Sequence, residues 1–212
     1  MFGITHFGTF ALAAFVLIIT PGNDTLLILT RSITQGKKAG IISALGVGTG
    51  STIHTLLAAF GLSIIISKSL LVFTMIKYTG AAYLVYTGIN MIFSRSNVIN
   101  NQQAMKPAFQ NTPVMLYRRA ILTNLLNPKV AMFFIAFLPQ FTDASYEYHY
   151  LSFIILGLLF TMAGTGWCIL LSVFSSRLFV KFNQDSKTAA SLVRCGGVVL
   201  VMLGTQLAMV KR

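Results

Sequence analysis

The chain has 212 residues, of which 55% are hydrophobic and only 9% are charged. Its mean hydropathy of +0.77 excludes an ordinary soluble domain and predicts an all-α integral membrane protein. The formal net charge is +12, but no arginine-rich tract is interleaved with aromatic residues, so nucleic acid is not an expected partner. Basic residues between apolar segments instead suit membrane lipids with anionic headgroups.

Six apolar runs are long enough to cross a hydrocarbon core of about 30 Å as helices. The first has no Lys or Arg before it and exceeds the apolar part of a secretory signal, so we expect a membrane helix rather than a cleaved leader. The predicted spans cover residues 7 to 29, 40 to 66, 70 to 93, 117 to 141, 150 to 175 and 189 to 210.

Basic residues cluster in alternate connections between the predicted helices. The connection between helices 4 and 5 holds Asp143 and Glu147 and no Lys or Arg. By the positive-inside rule, both termini are predicted to face away from the cytoplasm. The basic groups follow helix 1 (Arg31, Lys37, Lys38), surround the loop between helices 3 and 4 (Arg95, Lys106, Arg118, Arg119) and follow helix 5 (Arg177, Lys181, Lys187).

Two short polar breaks, one from Thr20 to Asp24 and one from Asn124 to Lys129, interrupt the first and fourth runs. A proline inside a membrane helix frees backbone carbonyls, and a charge there is costly, so these breaks need a functional reason. Broken helices in transporters supply one, because they direct backbone dipoles at a substrate near the bilayer midplane. The candidate substrate-binding residues are Pro21, Gly22, Asn23, Asp24, Asn124, Asn127, Pro128 and Lys129.

The two charges at the breaks suit a zwitterion. Lys129 can attract a carboxylate and Asp24 an ammonium group, so an amino acid is the expected small-molecule substrate. The alternative is that the two side chains neutralise each other and fix helix 1 against helix 4. Asp24 is also the first candidate for proton coupling, since a carboxylate in apolar surroundings can exchange a proton.

His54 lies near the middle of helix 2, on one face with Gly46 and Gly50. Small residues four positions apart let helices approach closely, so we expect this face to contact a broken helix and to bury His54 in the bundle. His54 is the second candidate for proton coupling; the alternative is a hydrogen-bonded core residue.

The sequence contains an internal repeat. Helix 3 carries Gly80 to Gly88 and helix 6 carries Gly196 to Gly204, each a Gly-x7-Gly with Leu at the same offset, and nearly the same shift separates Pro21 from Pro128. This agreement predicts a duplication. Three helices per copy make the copies inverted, the arrangement that permits alternating access. The predicted repeats cover residues 1 to 105 and 106 to 212.

Other chemistry finds little support. Cys168 and Cys195 stand singly without CxxC spacing or neighbouring His, so neither a metal site nor a thiol redox site is expected. No cofactor fingerprint or nucleophile and base pairing is evident, which argues against an enzyme. Metal-cation efflux would need several carboxylates, His or thiolates that converge, whereas only one of the four acidic residues, Asp24, lies in a predicted membrane span. A membrane assembly factor is the non-transport alternative. Tyr83, Tyr86 and Trp167 are interpreted as packing or interface residues, the usual role of aromatic residues in membrane helices, and substrate contact is the alternative.

Four motifs resemble the LysE/RhtB family of bacterial amino-acid exporters. They are Pro21-Gly22 followed by Asp24, the glycine-rich stretch from Gly36 to Gly50, the segment Gly80 to Leu84, and Asn127-Pro128-Lys129. The resemblance covers essentially the whole chain, including its length and helix count.

The resemblance implies export of amino acids from the cytoplasm across the bacterial inner membrane, driven by the proton gradient. The resemblance and the glycine-lined helix faces both favour a homodimer. With one acid and one base at the breaks, we expect small neutral substrates such as homoserine, threonine or leucine. The family usually reads Pro-Gly-Pro in helix 1, whereas the third position here is Asn23. This departure predicts a less rigid break with an added side-chain amide.

Overall fold

The computed structural model describes residues 2–62, 70–93, 112–143, 145–184 and 186–209. Within these ranges the fold is all-helical, with one isolated antiparallel bridge between Ile4 and Thr142 and no strand. The helices are α1 (Phe7–Ile19), α2 (Asn23–Gln35), α3 (Lys37–Leu57), α4 (Leu70–Phe93), α5 (Pro113–Leu125), α6 (Pro128–Met132), α7 (His149–Gln184) and α8 (Ser186–Met209).

The first predicted span is a broken helix, as expected. Helices α1 and α2 meet at a bend of 45°, and the extended backbone of Gly22 separates them. The predicted end at residue 29 is wrong, because α2 continues to Gln35. It stops where Gly36 adopts a φ of +85°, a conformation that glycine tolerates best. Arg31, expected in a loop, therefore lies within a helix.

The fourth predicted span is broken as well, with a bend of 50° between α5 and the helical segment from Pro128 to Phe141. The predicted start at residue 117 is corrected, because α5 begins at Pro113, where Thr112 Oγ1 accepts a hydrogen bond from the Met115 amide at 3.3 Å. Proline at the first helical position completes this cap. After Met132 the helix continues through a π-helical turn and a 3-10 turn.

The small-residue face of α3 contacts α5, which confirms the expected packing of helix 2 against a broken helix. A Cβ added at Gly46 would lie 2.5 Å from the Tyr117 carbonyl oxygen, and one added at Gly50 would lie 2.6 Å from Asn124 Oδ1. The backbones therefore meet at a distance that larger residues would prevent. Helix α3 also packs along α7, and α4 packs along α8.

The glycine motifs of the two predicted repeats face each other where α4 meets α8. A Cβ added at Gly88 would lie 2.5 Å from the Gly197 carbonyl oxygen, and one added at Gly204 would lie 2.9 Å from the Ala81 carbonyl oxygen. The third and sixth predicted spans thus form one closely packed helix pair.

Two apolar clusters fill the bundle on either side of the breaks. The aromatic core is rich in phenylalanine and includes Phe10, Phe133, Phe134, Phe137, Phe141, Phe153 and Phe160. The small core is built from smaller side chains: Ile28, Ala44, Val47, Ala120, Cys168 and Leu171. The breaks thus lie between the aromatic core and the small core.

The two ends of the bundle differ in charge. At one end the N-terminal segment is tied to the chain after α6, since the Asp143 amide donates to the Gly3 carbonyl at 2.7 Å. This acidic end carries the exposed Asp143 and Glu147. Hydrogen bonds from the Ser145 hydroxyl and amide hold the pKa of Asp143 below its usual range. The opposite, basic end carries Arg31, Lys37, Lys38, Arg118 and Arg119.

By length and composition, α3 with its last turn (Lys37–Gly61) and the main part of α7 (Tyr150–Ser175) can cross a membrane. Counting each bent pair as one span raises the number to four among the described residues. Helices α4 and α8 have 24 residues each. That they also cross the membrane, giving six spans, stays a prediction.

Candidate functional site

Asp24 lies at the beginning of α2, directly after the first break. Its Oδ2 accepts hydrogen bonds from Asn124 Nδ2 at 2.9 Å and from Asn127 Nδ2 at 3.0 Å. A carboxylate is favoured at a helix N-terminus, where the backbone amides point toward it. Its other oxygen, Oδ1, is buried and has no hydrogen-bond partner in the described part of the chain. Asp24 therefore retains an unused acceptor.

Lys129 occupies the corresponding place after the second break. Its Nζ donates to the carbonyl oxygens of Leu17 at 3.0 Å and Thr20 at 2.9 Å. These carbonyls end α1, where a cation is favoured by the helix dipole. A Cβ added at Gly22 would lie 3.1 Å from Lys129 Nζ. Glycine at this position thus leaves room for the lysine side chain.

Each of the two charged side chains binds the other broken helix, and the two do not bind one another directly. Asp24 is held by two asparagine amides and Lys129 by two carbonyls, and no ion pair between them occurs among the described residues. A direct ion pair is therefore not how they are fixed. The contacts instead join α2 to the end of α5, and α6 to the end of α1.

Asn124 connects the breaks to α3. Besides its bond to Asp24, it accepts from Ser51 Oγ at 3.4 Å, and its carbonyl lies 3.4 Å from His54 Nε2. His54 is 7% exposed and stacks on Phe134 with ring centroids 5.6 Å apart. The predicted burial of His54 is confirmed, and it is adjacent to the same asparagine that holds Asp24.

A cavity of about 50 Å³ lies beside these groups. It has room for a few water molecules, much less than the roughly 300–1,000 Å³ of usual ligand pockets. A substrate of amino-acid size therefore needs the walls to separate. The lining includes Gly22, Asp24, Asn124 and Lys129 from the breaks, Ser51 from α3, and Phe160, Thr165, Trp167 and Cys168 from α7.

Not every predicted site residue reaches this cavity. Asn23 and Pro128 are exposed at the starts of their helices, and neither they nor Pro21 line it. Asn127 is 2% exposed and acts through Asp24 and through its side-chain oxygen, which accepts from the Lys129 amide at 3.1 Å. The structure thus brings together Gly22, Asp24, Asn124, Asn127 and Lys129.

The sequence interpretation missed two kinds of group. Trp167 lines the cavity, and its indole Nε1–H is buried without a partner among the described residues. The Leu17 carbonyl was missed although a signal existed, because a proline removes the hydrogen bond to the carbonyl four residues before it. Counting back four from Pro21 gives Leu17, and from Pro128 it gives Asn124.

The comparisons with known proteins agree with this architecture. The family model described as LysE type translocator matches residues 15–211. The chain belongs to the LysE family of translocators. Among solved structures, none gives a significant match.

Several relatives align over nearly their full lengths. The uncharacterized membrane protein YrhP of Bacillus subtilis is 32% identical, with 90% of this chain and 92% of that protein aligned. An uncharacterized membrane protein of Pseudomonas aeruginosa is also 32% identical, with 97% of this chain and 96% of that protein aligned. A protein of Enterobacter named leucine efflux protein is 29% identical, with 90% of this chain and 89% of that protein aligned.

Proposed function

We propose that this translocator is a secondary transporter of the bacterial inner membrane that exports amino acids from the cytoplasm, driven by the proton gradient. The observation that carries the proposal is the buried Asp24 Oδ1, which has no hydrogen-bond partner among the described residues and belongs to a carboxylate lining a cavity where two broken helices cross. Such a carboxylate oxygen can accept a charge-assisted hydrogen bond from the ammonium group of an amino acid.

A small neutral amino acid with an apolar side chain suits the surroundings. Lys129 has three N–H donors and gives two to carbonyls, so among the described residues one remains for a carboxylate, and the Trp167 N–H is a second available donor. An apolar groove of about 550 Å³ lies between α1 and α7 and shares Ile18, Phe160 and Trp167 with the site cavity. It can receive an aliphatic side chain, which agrees with relatives named leucine efflux protein.

Proton coupling is proposed at Asp24, with His54 as the second group. A proton on Asp24 and an ammonium group at Oδ1 compete, because protonation removes the charge that holds the substrate. His54 contacts the Asn124 carbonyl, and the Asn124 side chain donates to Asp24. A change at His54 can therefore reach Asp24 through one residue.

The transport cycle is proposed to use two inverted three-helix repeats, residues 1–105 and 106–212. Each helix of one repeat meets its counterpart in the other: the breaks contact each other, α3 packs along α7, and α4 packs along α8. The basic end then faces the cytoplasm and both termini face the periplasm. A homodimer within the lipid bilayer is part of the same proposal.

The alternatives lack a supporting observation. No group of three or more His, Cys, Asp or Glu side chains comes together among the described residues, so metal-cation efflux gains nothing from the structure. An assembly factor would not need an unpaired carboxylate at a cavity between broken helices.

The test is uptake of a panel of labelled amino acids into proteoliposomes under an imposed pH gradient. The proposal expects gradient-driven movement of one or a few neutral amino acids, with proton flux in the opposite direction that His54→Phe reduces. Absence of movement for the whole panel, by protein that is folded and inserted, would contradict it.

A further inference from the structure

Arg31 carries a buried charge that the site described above does not use. Its side chain is 5% exposed, and Nη1 is buried with no hydrogen-bond partner in the described ranges. Buried charges and donors are costly unless something pairs with them. The buried guanidinium nitrogen of Arg31 therefore indicates a missing acceptor.

The acidic residues of the chain do not supply this acceptor in the part that the structure describes. The chain has four of them. Asp24 is held by asparagines at the breaks. Asp143 and Glu147 are exposed at the acidic end, and Asp185 lies outside the described residues. No described carboxylate is thus left for Arg31.

The charge beside Arg31 is another cation. Arg119 lies on α5, which packs against α2, and its charge acts against that of Arg31. Arg119 is exposed at the basic end, so the pair lies where the bundle interior meets solvent and headgroups. Two arginines on neighbouring helices at the same end of the bundle create a positive potential that attracts an anion.

Arg31 also lies on the same helical face as Asp24. Asp24, Ile28 and Arg31 are spaced four and three residues apart, which places them in one stripe. Ile28 is 0% exposed and packs with Ala120 of α5 in the small core. At 1.5 Å per residue, Arg31 lies about 10 Å from Asp24 along the axis of α2. Ile28 thus separates this place from the site cavity.

We propose that Arg31 and Arg119 form an oxyanion-binding site at the basic end of the bundle. A guanidinium group binds carboxylate or phosphate through two parallel hydrogen bonds, which a lysine does not reproduce. The oxyanion belongs either to a small solute or to the phosphate of an anionic lipid headgroup. The site does not depend on the proposed transport function, because it lies at another level of the bundle.

The test measures thermal unfolding of the full-length protein in neutral detergent, with inorganic phosphate or acetate titrated against chloride at matched ionic strength. The same protein is then compared in nanodiscs of phosphatidylcholine with and without phosphatidylglycerol. Arg31→Gln removes the buried donor and Arg31→Lys keeps only its charge. Arg118→Gln is the matched control, since Arg118 is exposed on the same helix as Arg119.

The site predicts that an oxyanion raises the unfolding temperature of the unmodified protein and of Arg118→Gln. Arg31→Gln should weaken the apparent affinity about 10- to 100-fold, and Arg31→Lys should not restore it. Stabilisation by phosphate or acetate identifies a solute site, and stabilisation by phosphatidylglycerol alone identifies a lipid site. If Arg31→Gln does not fold, Arg119→Gln must weaken the same response. No response to any of the probes, or an equal response in all variants, overturns the proposal.

Discussion

The two helix breaks are built in the same way, but the carbonyl that each proline frees is bound by a different kind of partner. Each contains a proline whose missing amide leaves the carbonyl four residues earlier without its helical partner. At the second break this carbonyl, of Asn124, accepts a hydrogen bond from the nearby Asn127 amide at 3.0 Å, and His54 Nε2 makes only an additional contact with it. At the first break the corresponding carbonyl, of Leu17, is bound by Lys129 from the other helix.

This difference assigns separate roles to the two charges. Lys129 completes the first break, and two of its donors are committed to backbone carbonyls. Asp24 commits one oxygen to the second break, and its other oxygen has no hydrogen-bond partner in the part of the chain that the structure describes. Lys129 is therefore the more structural residue and Asp24 the more available one, although a sequence pattern presents them as equivalent.

The largest effect is expected from Lys129→Met, which leaves two carbonyls at the end of α1 without their donor. The loss should be about 2–5 kcal/mol of folding free energy, measured by thermal unfolding of the purified protein. Lys38→Met, at an exposed position of α3, is the control and should change little. A Lys129→Met protein as stable as the control would show that the first break does not depend on this side chain.

Gly50→Ala tests whether the second break depends on the close approach of α3. The added Cβ would lie 2.6 Å from Asn124 Oδ1 and 2.9 Å from Asn124 Cβ, so Asn124 must move and loosen its bond to Asp24. We expect a loss of about 1–3 kcal/mol together with slower transport. Gly61→Ala is the matched control, because nothing lies within 4 Å of its added Cβ. Equal behaviour of the two variants would contradict the packing described here.

Two substitutions at Asn127 separate its two contacts. Ser can still cap the Lys129 amide but is too short to bond Asp24, whereas Ala does neither. Asn127→Ala should therefore be less stable than Asn127→Ser by about 1 kcal/mol, while both raise the substrate concentration needed for half-maximal transport. If Asn127→Ser binds substrate normally, the bond to Asp24 does not position the carboxylate.

The smallest effect on stability is expected from His54→Phe, which keeps a ring against Phe134 and removes the nitrogen near Asn124. Since the Asn127 amide still bonds that carbonyl, the loss should stay below about 1 kcal/mol. Transport driven by a pH gradient should fall while exchange of substrate without a gradient continues. A destabilisation as large as that of Lys129→Met would mean that both breaks rely on a side chain from elsewhere.

Much of this arrangement follows from the sequence. The prolines and charges located both breaks, and the glycine spacing identified the contact of α3 with α5. What the sequence did not predict depends on direction and distance. Arg31 was assigned to a loop because charge ends an apolar run, although the helix continues to Gln35. The separate partners of Asp24 and Lys129 follow from the bends of 45° and 50°, which no residue pattern encodes.

The central claim is that the free oxygen of Asp24 binds the transported amino acid, and substrate counterflow in proteoliposomes tests it most directly. Asp24→Asn is compared with Asp143→Asn, because Asp143 is an exposed carboxylate whose lowered pKa keeps it charged at neutral pH. Each variant thus removes one negative charge. The account predicts that Asp24→Asn lowers counterflow of leucine or another neutral amino acid by about 10- to 100-fold, while Asp143→Asn leaves it unchanged. Equal counterflow in the two variants would contradict the account.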